Sequence, residues 1–182
     1  MTTLYLVRHG KAAAGWDADH DPGLDPAGRA QAEEMAVLLA RRGPLPLLVS
    51  PMARTRETAI PLAEQWQTEP HIEPRVSEIP SPVSDLAERA RWLRGVAGNQ
   101  WSQLEPTLQT WRSNLIEALR EQTGDTVIVT HFIAINAAVG AAINEDRVVH
   151  FHPDYCSITT LRIDNNRLSL LKQGDEATTR VL

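Results

Sequence analysis

The apolar run Leu4-Tyr5-Leu6-Val7 is too short for a helix and carries the β-branched and aromatic residues that favour strands, so the chain is expected to begin with a buried strand. Arg8, His9 and Gly10 follow at once, which puts a cation, a titratable ring and a glycine at the strand's carboxyl end. In open α/β sheets ligands bind in the crevice beyond those ends, and a glycine there lets backbone approach a ligand closely. Taken alone, the tripeptide also fits a loop histidine beside a surface arginine.

The same punctuation recurs along the chain. Asp25 is placed as a helix N-cap with Pro26 as the first helical residue. Met35, Leu38 and Leu39 form part of an apolar face running to Arg42, and Gly43-Pro44 is the stop. A strand over residues 45–49 leads into Ser50-Pro51, which opens a helix to about Trp66 and sets Arg54 in its first turn. Arg56 should point elsewhere, because residues two apart do not share a helical face. Residues 71–76 are read as a third strand and residues 77–82 as a proline-rich connector carrying Glu78. A helix is expected over about 83–94, ending at Gly95. The next has Leu104, Leu108, Trp111, Leu115 and Leu119 as a core stripe.

Residues 126–130 are a buried strand ending on His131, followed by an alanine-rich helix over 132–143. Segments 155–163 and 167–171 then form a hairpin about Asp164-Asn165-Asn166, and the polar tail over 173–182 is expected to be mobile. The expectation is one α/β domain over residues 1–182. It is a three-layer α/β/α sandwich with a mostly parallel central sheet, a C-terminal antiparallel hairpin and a substrate-facing insertion around 80–101.

Composition narrows the function classes. A net charge of -5 in 182 residues argues against broad affinity for nucleic acid or anionic membrane, while leaving room for a local basic pocket. With no apolar run of spanning length and no leader pattern, the protein is expected in the cytoplasm. The sole cysteine, Cys156, excludes an internal disulfide and is read as a buried spectator. The loop with Asp17, Asp19 and Asp21 lacks the turn glycine and the distal glutamate of a calcium loop. His150 and His152 lack a third ligand, so no metal is assigned. Arg89, Arg91 and Arg94 are read as a solvated helix face, with a pocket border as the alternative.

Three expected strand ends therefore carry Arg8 with His9, Arg54, and His131. Two guanidinium forks and a histidine can hold the three peripheral oxygens of a phosphoryl group, leaving a second, neutral imidazole to attack phosphorus. The alkoxide that departs needs a proton, and Glu78 is the candidate acid.

Four segments resemble the histidine phosphatase superfamily, which has the phosphoglycerate mutase-like fold. They are Leu6-Val7-Arg8-His9-Gly10, the stretch from Gly23-Leu24-Asp25-Pro26 to Ala32, the stretch from Ser50-Pro51 through Arg54 to Ala59, and Val127-Ile128-Val129-Thr130-His131. The resemblance implies His9 as the phosphorylated nucleophile, Arg8, Arg54 and His131 as phosphate ligands, and Glu78 as the acid. It also implies no metal or organic cofactor, and a small phosphorylated substrate or a phosphoprotein as partner. The implied activity is hydrolysis of a phosphomonoester through a phosphohistidine intermediate. Lys11-Ala12-Ala13-Ala14-Gly15 and Ile79-Pro80-Ser81-Pro82 depart from the mutase-like pattern. The alanine is similar to small bacterial protein phosphohistidine phosphatases, which manage without the acid, so that activity stays open. A mutase-like phosphotransferase and a noncatalytic phosphate-binding module stay open beside it. The loop with Trp16 and the segment 80–101 are expected to read the rest of the substrate, and the oligomeric state is left open.

Overall fold

The computed structural model describes residues 1–15 and 18–178; Trp16 and Asp17 lie outside the described residues, as does the end of the tail. Strands β1 (Thr2–Arg8), β2 (Leu47–Val49), β3 (His71–Ile72), β4 (Thr126–Thr130), β5 (Ile158–Asp164) and β6 (Arg167–Lys172) form one six-stranded sheet in the order β3-β2-β4-β1-β5-β6. The first four pair in parallel, β5 adds antiparallel to β1, and β6 antiparallel to β5. Helices α1 (Pro26–Ala40), α2 (Ala53–Trp66), α3 (Leu86–Ala97), α4 (Pro106–Arg120) and α5 (Phe132–Ile143) complete the chain.

Strand alternation sorts the core into two layers. Leu4, Leu6 and Ile128 pack with Leu115 and Leu119 of α4 and Ile133 of α5. Tyr5, Val7, Val127 and Val129 face the other way, onto Met35 and Leu39 of α1 and Leu62 of α2. Successive side chains of a strand point to opposite faces, so a two-sided apolar strand needs helices on both. The α/β sandwich with its antiparallel C-terminal hairpin is what the structure has. Asn165 and Asn166 make the hairpin turn with φ of 48° and 63°, left-handed values that favour asparagine.

Several boundaries differ from the sequence reading. The second strand begins at Leu47 rather than Leu45. Leu38 is 67% exposed, because Ala32, Met35, Ala36 and Leu39 already fill the buried stripe of α1. The third strand stops at Ile72, since Pro74 starts a 3-10 turn over Pro74–Val76. Helix α3 starts at Leu86 and runs through Gly95 to Ala97. Burial of Leu93 and Val96 outweighs the roughly 1 kcal/mol cost of a helical glycine. Tyr155 and Cys156 lie in a turn before β5, with Cys156 at φ 55°. The described part of the tail is tied down: Asp154 donates its N–H to the Asp175 carbonyl at 2.8 Å, and Ala177 donates to that of His152 at 2.9 Å.

Candidate active site

Register brings the site together. Arg8 of β1 pairs with Thr130 of β4, and Val49 of β2 with Val129, so three parallel strands end side by side. His9 then donates its N–H to the Thr130 carbonyl at 3.0 Å, and Ser50 donates to that of Val129 at 3.1 Å. The next residue after β4 is His131, at the N-cap of α5; the helix that follows β2 delivers Arg54. Gly10 follows His9 where a Cβ would come within 2.6 Å of the Gly28 carbonyl oxygen, and a Cβ on Gly28 would meet the Lys11 carbonyl. This close approach of two glycines lets the loop after β1 lie directly on the start of α1.

The protons of both histidines follow from their partners. His9 Nδ1 lies 2.8 Å from the Gly10 carbonyl, which can only accept, so Nδ1 carries the hydrogen. That leaves Nε2 with its lone pair, to which Arg54 Nε donates at 3.3 Å. Arg54 Nη2 lies 3.2 Å from His131 Nδ1, which must therefore accept; His131 Nε2 then donates to Ser50 Oγ at 2.8 Å. The two rings stand 5.3 Å apart, edge to face. Burial holds both pKa values well below the ordinary histidine value, reinforced by Arg54 and Arg8 and, for His131, by His9. Both rings are neutral in the free protein. Arg54 is buried itself, with Asp21 Oδ1 3.8 Å from its Nη1.

Glu78 reaches the site through a pinned connector, since Thr130 Oγ1 donates to the Val76 carbonyl at 2.6 Å. Glu78 is half-buried as a residue, but its carboxyl group is enclosed. It accepts the N–H groups of Ile133 at 3.1 Å, Ala134 at 3.2 Å and Ile79 at 3.0 Å. It thus caps α5, whose N-cap His131 makes no side-chain cap bond. Burial pushes the Glu78 pKa up, against the opposing pull of these amides and Arg54.

Arg8, His9, Arg54 and Glu78 line one cavity of about 230 Å³. His131 stands behind Arg54, fully buried. A cavity of this size, floored by two guanidiniums and an imidazole whose Nε2 lone pair is met by Arg54 Nε, suits an anion with room for a nucleophile beneath it. Among the described residues no group of three or more histidine, cysteine, aspartate or glutamate side chains is arranged to hold a metal.

The profile of the histidine phosphatase superfamily (branch 1) matches residues 4–176. The chain belongs to that family. No curated protein sequence matches this histidine phosphatase superfamily member. Among solved structures, YhfR from Bacillus stearothermophilus is similar over 97% of this chain and 98% of its own, at 20% identity and a TM-score of 0.79. Phosphoserine phosphatase from Entamoeba histolytica in complex with 3-phosphoglyceric acid matches over 98% of each chain, at 20% identity and TM-score 0.76. Alpha-ribazole phosphatase from Shigella flexneri matches over 100% of each, at 20% identity and TM-score 0.71. At these identities the likeness is one of fold.

The histidine phosphatase superfamily pattern finds the residues at the strand ends, and the structure adds others to them. Arg89 and Arg94 of α3 line the cavity with Ala90 and Leu93, which is the pocket border that the sequence reading held as the alternative to a solvated face. Apolar Leu93 and Val96 turn this face inward, and that spacing was the available signal. Arg89 Nη1 donates to His20 Nδ1 at 3.4 Å across the mouth. Asp21 accepts the Ala53 N–H at 2.8 Å, at the start of α2. Ser50 and Tyr155 were not singled out in the sequence. Ser50 touches His131, and Tyr155 lines the cavity with its ring 6.1 Å from that of His9. Cys156 is half-buried, and burial pushes its thiol up to about 12.

Proposed function

We propose that the protein is a metal-independent phosphatase that hydrolyses a small phosphomonoester through a phosphohistidine on His9. The observation that carries this reading is the His9 tautomer: Nδ1–H is spent on the Gly10 carbonyl, and Nε2 offers its lone pair at the cavity floor beside Arg54. Arg8 and Arg54 take the non-bridging phosphoryl oxygens, and His131, whose Nδ1 accepts from Arg54, orients that guanidinium from behind. Nε2 attacks phosphorus in line, and the bond to the leaving oxygen breaks as Glu78 gives that oxygen its proton. Water then attacks phosphorus and yields a proton to Glu78; the N–P bond breaks and returns neutral His9 with inorganic phosphate. The segment 80–101, whose helix α3 borders the cavity, reads the leaving group within a single domain.

One observation favours a second reading, removal of the phosphoryl group from a protein phosphohistidine. The Glu78 oxygens are already engaged by three backbone amides, and a nitrogen leaving group needs little proton help. The test of the main reading is rapid-quench intact-mass analysis with an aryl phosphate and no added metal. Native protein is expected to gain one phosphoryl group and release phosphate, and the His9→Ala variant to do neither. Undiminished phosphate release by His9→Ala would overturn the mechanism.

A further inference from the structure

Arg8 enters the cavity packed against aromatic rings. Its guanidinium carbon lies 4.1 Å from the centroid of the Tyr155 ring and 5.3 Å from that of Phe132. One terminal nitrogen donates to the Pro153 carbonyl at 2.8 Å, while Nε has no hydrogen-bond partner among the described residues. A guanidinium that is 6% exposed and keeps an unsatisfied donor is costly unless something holds it ready for an anion. The flat face of an aromatic ring does this without consuming donors, because the ring attracts the cation across its face and leaves the in-plane N–H groups free.

The segment bearing Tyr155 is built to keep that ring in place. The left-handed Cys156 turns the chain, and its N–H donates to the Arg8 carbonyl at 3.0 Å, while Arg8 donates its own N–H to the Ser157 carbonyl at 3.3 Å. The Asp154 carboxylate accepts the Tyr155 N–H at 2.8 Å. From outside, a bridge between Pro153 and Glu176 and the bonds to Asp175 and Ala177 strap the segment down. Arg8 is thus gripped through its backbone, its terminal nitrogen and its flat face by one short stretch of chain.

We propose that Tyr155 is a positioning residue for Arg8: its ring, with Phe132, holds the guanidinium in the plane from which its remaining donors meet an anion in the cavity. The identity of that anion as a phosphoryl group rests on the proposed function above. The stacked face of the ring carries most of this, and the hydroxyl, which also interacts favourably with the guanidinium, the lesser part.

The test compares native protein with Tyr155→Phe, Tyr155→Leu and Tyr155→Gln, using inorganic phosphate as the probe. Two quantities are read by NMR: the phosphate dissociation constant, and the exchange rate of the Arg8 Nε–H, with backbone spectra confirming that each variant is folded. Tyr155→Phe is expected to stay within about threefold of native in both. Tyr155→Leu, apolar and without a π face, should lose phosphate affinity on the order of tenfold and speed Arg8 Nε–H exchange. If Tyr155→Leu does not fold, Tyr155→Gln carries the same expectation. Native affinity and native exchange in the Leu or Gln variant would overturn the proposal, as would a Tyr155→Phe variant as impaired as Tyr155→Leu. If native protein binds no phosphate, the function proposed above fails, and Arg8 exchange alone still decides whether Tyr155 holds the side chain.

Discussion

Burial, reinforced by the facing cations Arg54 and Arg8, keeps the His9 imidazole neutral. The Glu78 pKa moves the other way, since burial favours its neutral acid. The two shifts run in the directions that a neutral nucleophile and a proton donor would need. Glu78→Gln preserves an oxygen acceptor for the amides of α5, so folding should survive while proton donation does not. The expected outcome is a loss of kcat/KM on the order of a hundredfold for an alkyl phosphate and under tenfold for an aryl phosphate with a good leaving group. Steady-state kinetics on the two substrates checks it, and equal losses would count against proton donation. His9, Arg54 and His131 were legible in the sequence because each directly follows, or opens the helix after, an apolar run of strand length. Tyr155 was not, because its direction depends on Cys156 adopting a left-handed φ, which no periodicity announces.

Helix α1 packs onto the loop behind His9 through Gly28, and here two opposing effects can be weighed. Replacing a glycine by alanine gains up to about 1 kcal/mol from propensity in a helix interior, and less in the first turn where Gly28 lies. At Gly28 the new methyl would meet the Lys11 carbonyl, and overpacking of that kind costs about 1–3 kcal/mol. Gly28→Ala is therefore expected to lower stability, read as a lower urea midpoint at unchanged slope, and to slow turnover by displacing His9. A midpoint at or above native would show that the loop yields freely. The sheet and the order of its elements were readable because two-sided apolar strands demand helices on both faces. Local stop signals were weaker than burial. Gly95 ends nothing, because a Cβ-less residue on an open face can stay helical while Leu93 and Val96 bury beside it. Conversely, Pro74 cut β3 short although its neighbours favoured a strand.

At the scale of the whole molecule, the buried site makes stability depend on pH. His9 and His131 fold with pKa values below the ordinary 6.5, so from there downward the unfolded chain binds more protons than the folded one. Stability is expected to fall as pH is lowered through that window, by at most about 1.4 kcal/mol per pH unit for each histidine. Glu78 acts oppositely: its raised pKa gives a contribution present at acid pH and lost as pH rises above the ordinary 4.5. Two histidines against one carboxyl leave a net loss on acidification. Urea midpoints at pH 7, 6 and 5 should decrease in that order, and a flat series would mean the histidines take up protons while folded. The strap between residues 174–177 and the Tyr155 segment has a consequence in time as well as in space. The stretch that grips Arg8 is tied down by residues made more than 165 positions after it. A nascent chain can therefore carry Arg8, His9, His131 and every parallel strand before the residues that strap the Tyr155 segment have been made.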